Sequence, residues 1–132
     1  MAGKRVLITG ASSGIGLSLA EQLASAGHEV TITVRDEEKA ETTRTLLAEK
    51  QISKTMVCAF QVSVQIVHID FSIWSSVLDG ADDITQNKMI FDIVIFNAGT
   101  MFPEESTTAD GIETCLQVGF YLPGKCTRLA GW

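Results

Sequence analysis

Thr9-Gly10-Ala11-Ser12-Ser13-Gly14-Ile15-Gly16 is the stretch that decides the fold of this 132-residue chain. Before it, Lys4–Thr9 is a short β-branched run that reads as a strand. After it, apolar residues recur near helical spacing at Ile15, Leu19, Leu23 and Ala26 and stop at Gly27. A glycine pattern gains physical meaning when it joins a strand to a helix. Gly10 permits the tight turn off the strand, Gly14 lets backbone approach a pyrophosphate, and Gly16 lets the helix pack close to the sheet. The helix start then presents unpaired N–H groups and a partial positive charge, to which the Ser12 and Ser13 hydroxyls add donors. The bland alternative is a glycine-rich turn with no ligand. A Gly-Lys-Ser/Thr phosphate loop is excluded, because Leu17 follows the last glycine.

Outward from this turn, Glu29–Val34 reads as a second strand. Asp36 is placed to cap a helix with Glu37 and Glu38 in its positive first turn. That helix is expected to run to about Lys50 with Ala40, Leu46 and Leu47 inward. Val62–Ile69 is a third strand, and Ser72 reads as the cap of a helix whose apolar face is Ile73, Trp74, Val77, Leu78, Ala81 and Ile84. Phe91–Phe96 is a fourth strand, apolar at nearly every position, as a strand buried on both faces should be. Strands alternating with helices imply a parallel sheet. The Gln51–Gln61 connection is longer than usual, and its Thr55–Phe60 portion also reads as an extra strand.

Composition narrows the function classes. Ten Lys+Arg against 16 Asp+Glu give a net charge of −6 with no basic cluster, which argues against nucleic acid. A 45% hydrophobic content suffices for one domain's core, yet no apolar run approaches the roughly 20 residues of a membrane span. Met1 leads almost directly into Val6-Leu7-Ile8 with no apolar signal region, so a cytoplasmic location is expected. Cys58, Cys115 and Cys126 fit a reducing compartment, and His28 and His68 lie near no Cys pair, so no metal site is expected.

The GxxxGxG spacing of Thr9–Gly16 resembles the cofactor motif of the short-chain dehydrogenase/reductase family. Asn97-Ala98-Gly99, closing the fourth strand, resembles a second motif of that family. Asp70 with Phe71–Ser72 resembles its adenine-contacting aspartate, and Thr107–Val118, with Asp110-Gly111-Ile112-Glu113, is similar to the retinol-dehydrogenase-like branch. The resemblance covers Gly3–Val118 apart from Gln51–Gln61. It implies an α/β fold of Rossmann type, a three-layer sandwich around a parallel sheet of about four strands, incomplete at the C-terminal side. Residues 1–118 would be the dinucleotide-binding portion and 119–132 a tail outside the family pattern. The implied activity is hydride transfer between a nicotinamide dinucleotide and an alcohol or carbonyl, with a lipophilic, retinoid-like substrate.

The cofactor residues expected on this basis are Gly10, Ser12, Ser13, Gly14, Ile15, Gly16, Arg35, Asp70, Phe71, Asn97, Ala98 and Gly99. Arg35 ends the second strand where NAD-selective proteins carry an acid. A guanidinium there suits a 2′-phosphate, so NADP(H) is expected, with NAD(H) as the alternative. Asp36 argues the other way, but its better use is the helix cap. Asp70 can accept from the adenine amino group, or else cap the helix after it. Ala98 and Gly99 leave room for a ribose, and the Asn97 amide can tie neighbouring strands together.

For catalysis the resemblance implies a Tyr, a Lys four residues later on the same helix, an upstream Ser and an Asn. Tyr121 and Lys125 have that spacing, but Pro123 and Gly124 lie between them, and a helix across that dipeptide costs roughly 3–4 kcal/mol. The pair is read as coincidental and no catalytic residue is assigned. Gly119 stands where the family's Asn would fall, and the expectation is an early ending through alternative splicing, a shifted frame or an imperfect gene model. The fourth strand would then be an edge exposing Phe91, Ile93, Ile95 and Phe96 to a protein partner or to self-association. Besides the oxidoreductase, two readings stay open: an inactive nucleotide- or partner-binding fragment, and a product that does not fold stably.

Overall fold

A computed structural model describes residues 3–54, 64–101, 104–121 and 125. In chain order the elements are β1 (Arg5–Ile8), α1 (Gly14–Ser25), β2 (Glu29–Val34), α2 (Glu37–Lys54), β3 (Val64–His68), α3 (Trp74–Gln86), β4 (Ile93–Ile95) and α4 (Thr114–Leu116). The last runs into a π-helical turn at Gln117–Tyr121. The strands form one parallel sheet in the order β3-β2-β1-β4, with Val6 of β1 opposite both Val30 and Ile93. On one face, Val6, Ile8, Val30, Ile32 and Val34 pack against Ala20 and Ala24 of α1 and Ala40 of α2. On the other, Val67, Ile69 and Phe71 pack against Val77, Ala81 and Ile84 of α3. Helices on both faces give the three-layer α/β architecture, and strand order reverses between β1 and β4.

Several expected details are corrected. The inward face of α1 is Gly16, Ala20 and Ala24, whereas Ile15 is 81% exposed and Ala26 is also exposed. Close approach of a helix to a sheet selects the small residues of its turn; the larger Leu19 and Leu23 flank the contact at partial burial. In α2 the inward residues include Thr43, whose hydroxyl donates to the Lys39 carbonyl, alongside Leu47. That helix continues past Lys50 to Lys54, and the Thr55–Phe60 strand alternative lies outside the described residues. Ser72 does not cap α3. Ile73 occupies the cap position without a side-chain bond and is 45% exposed. β4 is an edge among the described strands, and it is not buried on both faces: Ile93 and Phe96 are exposed, while Phe91 and Ile95 are half-buried against the two cores.

The opposite end of the β1–β4 pair is fastened by charge. Asp92 accepts from the Arg5 guanidinium at 3.0 and 3.3 Å and from the Arg5 N–H at 2.9 Å. These bonds, the side-chain ones foremost, pull the Asp92 carboxyl from an ordinary 3.8 to about 2. A folded-state value below the unfolded one means that the stabilisation is present above pH ~4 and is lost as pH falls towards about 2. Urea midpoints should therefore separate wild type from Asp92→Asn at pH 6 and converge near pH 2. A gap unchanged by acidification would show that the pair contributes through something other than charge.

Candidate functional site

The two loops flanking the strand-order reversal are built into one another. Gly10, at φ +63°, turns the chain off β1, and its N–H donates to the Thr33 hydroxyl of β2 at 3.0 Å. A Cβ at this position would lie 2.7 Å from the Ala98 Cα, so the β4 loop rests directly on the glycine. Asn97 completes the joint: its Nδ2 donates to the Thr9 carbonyl at 3.1 Å and to the Gly10 carbonyl at 3.0 Å. In return the Thr9 hydroxyl accepts the N–H groups of Asn97 and Ala98, both at 3.0 Å. Gly16 packs against this joint rather than the sheet in general, since a Cβ there would meet Asn97 Nδ2 at 2.3 Å and Ala11 Cα at 2.9 Å.

Outside the joint the surface opens. Nothing lies within 4 Å of a Cβ built on Gly14, which sits at φ +58°. Ser13 holds the N-cap position of α1 in extended backbone without a side-chain capping bond, and the first turn carries no acid. Half-buried Ser12, exposed Ser13 and exposed Ile15 complete this rim, and Gly99 is open on the β4 side. A helix N-terminus with an uncommitted hydroxyl, glycine backbone and no competing carboxylate fits a phosphate-bearing ligand.

Arg35 follows β2 directly, with its side chain 63% exposed, and its Nε donates to Asp36 Oδ2 at 3.4 Å. Asp36 is the α2 cap: its other oxygen accepts the Lys39 N–H at 2.8 Å, which foremost lowers its pKa from the ordinary value. After β3, Asp70 Oδ1 accepts both the N–H and the hydroxyl of Ser72, at 2.8 and 2.6 Å, and the Asp70 N–H donates to Ser76 Oγ. The expected contact residue Phe71 is corrected in one respect: its ring is buried in the α3 core, so only its backbone belongs to the turn. Tyr121 ends the π-helical turn, and residues 122–124 between it and Lys125 lie outside the described residues. The bonding roles of Thr33 and of Thr9, which heads the glycine motif, escaped the sequence reading because their partners are set by register; buried threonines at the ends of adjacent strands were the sole signal.

An open parallel sheet, helices on both faces and a glycine turn at the reversal of strand order define a Rossmann-type α/β protein. The chain matches the family model described as short chain dehydrogenase over residues 4–130, and it belongs to that family, whose members bind a nicotinamide dinucleotide. Retinol dehydrogenase 12 from Homo sapiens is 37% identical over 116 residues, 88% of this chain and 34% of that protein. The chloroplastic protochlorophyllide reductase of Pisum sativum is 37% identical over 112 residues, 82% of this chain and 26% of that protein. A gluconate 5-dehydrogenase from Burkholderia cenocepacia J2315, solved in complex with NADP and tartrate, superposes with a TM-score of 0.70 at 25% identity, covering 98% of this chain and 48% of that one. The chain spans about a third of the length of the curated relatives it matches. Among the described residues no helix is long and apolar enough to cross a membrane.

Proposed function

We propose that this chain is the NADP(H)-binding portion of a short-chain dehydrogenase, whose reaction is hydride transfer between the cofactor and an alcohol or carbonyl. The observation that carries the reading is the Asn97 bridge. By holding the Thr9 and Gly10 carbonyls it locks both loops beside the reversal of strand order into one cradle, with open backbone at Gly14. In this reading the α1 N-terminus and the Ser12 and Ser13 hydroxyls hold the pyrophosphate. Ala98 and Gly99 border the ribose, Asp70 accepts from the adenine amino group, and Arg35 takes the 2′-phosphate. Bound there, the dinucleotide supplies or accepts the hydride. The similarity to retinol dehydrogenases supports a lipophilic substrate.

Fluorescence titration with NADPH and NADH tests this. We expect NADPH to bind about tenfold tighter, and Arg35→Ala to remove the preference, since a bidentate guanidinium–phosphate pair is worth at least that factor. Equal binding of the two by wild type would remove the role given to Arg35.

A second reading, a fragment that binds nucleotide or a partner without turnover, is favoured by the exposure of Ile93 and Phe96 on the β4 edge. Saturable NADPH binding with no oxidation of NADPH by carbonyl substrates, together with a dimeric mass in light scattering, would select it.

A further inference from the structure

Residues 106–117 follow β4 in the chain, yet they fasten the turn that follows β3. The segment is folded on itself. The Thr114 N–H donates to the Ser106 carbonyl at 2.8 Å, and the Thr108 N–H to the Ile112 carbonyl at 2.9 Å. The Glu113 carboxylate accepts the N–H groups of Cys115 and Leu116, at 3.0 and 2.8 Å. From this folded loop two side chains reach back across the chain. Asp110 Oδ2 accepts the Trp74 N–H at 2.9 Å, supplying from 36 positions away the α3 cap that Ile73 cannot. Gln117 Nε2 donates to that same oxygen at 2.7 Å and to the Phe71 carbonyl at 3.4 Å.

Gln117 is fully buried, and its Oε1 accepts the Thr108 hydroxyl, so the amide is held in one orientation. The turn it grips contains Asp70, whose carboxylate is already tied on one oxygen to Ser72. The Asp70–Ser72 turn is thus held at two points, at its own Phe71 carbonyl and at the start of α3 just after it, both from the same distant loop.

We propose that Asp110 and Gln117 are positioning residues for the purine end of the dinucleotide, fixing the Asp70–Ser72 turn so that the Asp70 carboxylate meets the base in a single orientation. The proposal rests on the nucleotide-binding reading above. Its chemical consequence is selectivity between bases: a carboxylate accepts from the adenine amino group but opposes the keto oxygen of hypoxanthine.

The test titrates the full chain with NADPH and with its hypoxanthine analogue, deamino-NADPH. Wild type is expected to favour NADPH about tenfold. Gln117→Met and Asp110→Ala should bring the two affinities to within about twofold of each other. Asp110→Asn keeps one oxygen for both donors and should preserve the preference. Circular dichroism checks folding, and Thr108→Val, which removes the hydroxyl that donates to Gln117 and accepts the Asp110 N–H, gives a milder variant with the same expected direction. A contribution to stability alone would weaken both nucleotides together, so an unchanged ratio in folded variants overturns the proposal. Wild type binding both nucleotides equally overturns it while sparing the nucleotide-binding reading. Wild type binding neither overturns that reading and the proposal with it.

Discussion

Gly16→Ala is expected to destabilise the chain by about 2–4 kcal/mol and to weaken NADPH binding at least about tenfold, although alanine is the better helix former. The propensity gain is about 1 kcal/mol. Against it, the new Cβ would sit 2.3 Å from Asn97 Nδ2, 2.9 Å from Ala11 Cα and 3.0 Å from the Gly10 carbonyl oxygen. Two of these neighbours are backbone and cannot swing aside. The third is the amide that bridges Thr9 and Gly10, so relieving the clash breaks the joint between the loops. Overpacking of about 1–3 kcal/mol plus two lost hydrogen bonds of about 1 kcal/mol each outweighs the propensity term. Gly14→Ala is the internal comparison. Its Cβ meets nothing, so its cost is confined to the left-handed backbone, about 1–2 kcal/mol, and the loop joint stays closed. Urea denaturation of both variants, with NADPH titration, checks this. Equal affinity in Gly16→Ala and wild type would separate the joint from ligand binding.

Asn97→Asp carries the other large expected effect, about 3 kcal/mol of lost stability at pH 7 from an almost isosteric change. The amide donates to two carbonyl oxygens, and a carboxylate in its place has no proton to donate and faces both oxygens with negative charge. Only the protonated acid regains a donor, so the introduced carboxyl has a raised pKa in the folded state. The deficit is therefore full at high pH and shrinks as pH falls through that raised value. Denaturation midpoints at pH 7.5 and pH 5 should show the gap to wild type narrowing on acidification. A constant gap, or one below about 0.5 kcal/mol, would mean that the bridge contributes little.

What could be read from the sequence followed locality. The β1-turn-α1 unit was legible because Gly10 and Gly14 meet a local backbone demand, positive φ, that few other residues satisfy. The Asp36 cap was legible for the same reason: donor and acceptor lie three positions apart. The α1 packing face was not legible from hydrophobicity, which picks out large residues, whereas the distance between helix and sheet selects small ones. Ile15 therefore faces outward while Gly16, Ala20 and Ala24 face the core. The α3 cap was misassigned to Ser72 because a cap is normally sought next to its helix, and the Asp110 carboxylate comes from a loop that follows β4 in the chain.

By itself, then, the sequence determined the alternation of strand and helix, the parallel α/β class and the glycine turn, since propensity, periodicity and turn chemistry act over a few residues. Only the tertiary structure decided that Asn97 bridges Thr9 and Gly10, that Thr33 receives the Gly10 N–H, and that Asp110 and Gln117 hold the turn after β3. Each of these joins polar groups between 23 and 88 positions apart, in surroundings that range from fully buried at Gln117 to exposed at Asp110. Where such a group is buried, it must find its partner wherever the sheet register delivers one, because leaving it unpaired costs more than any local preference can return.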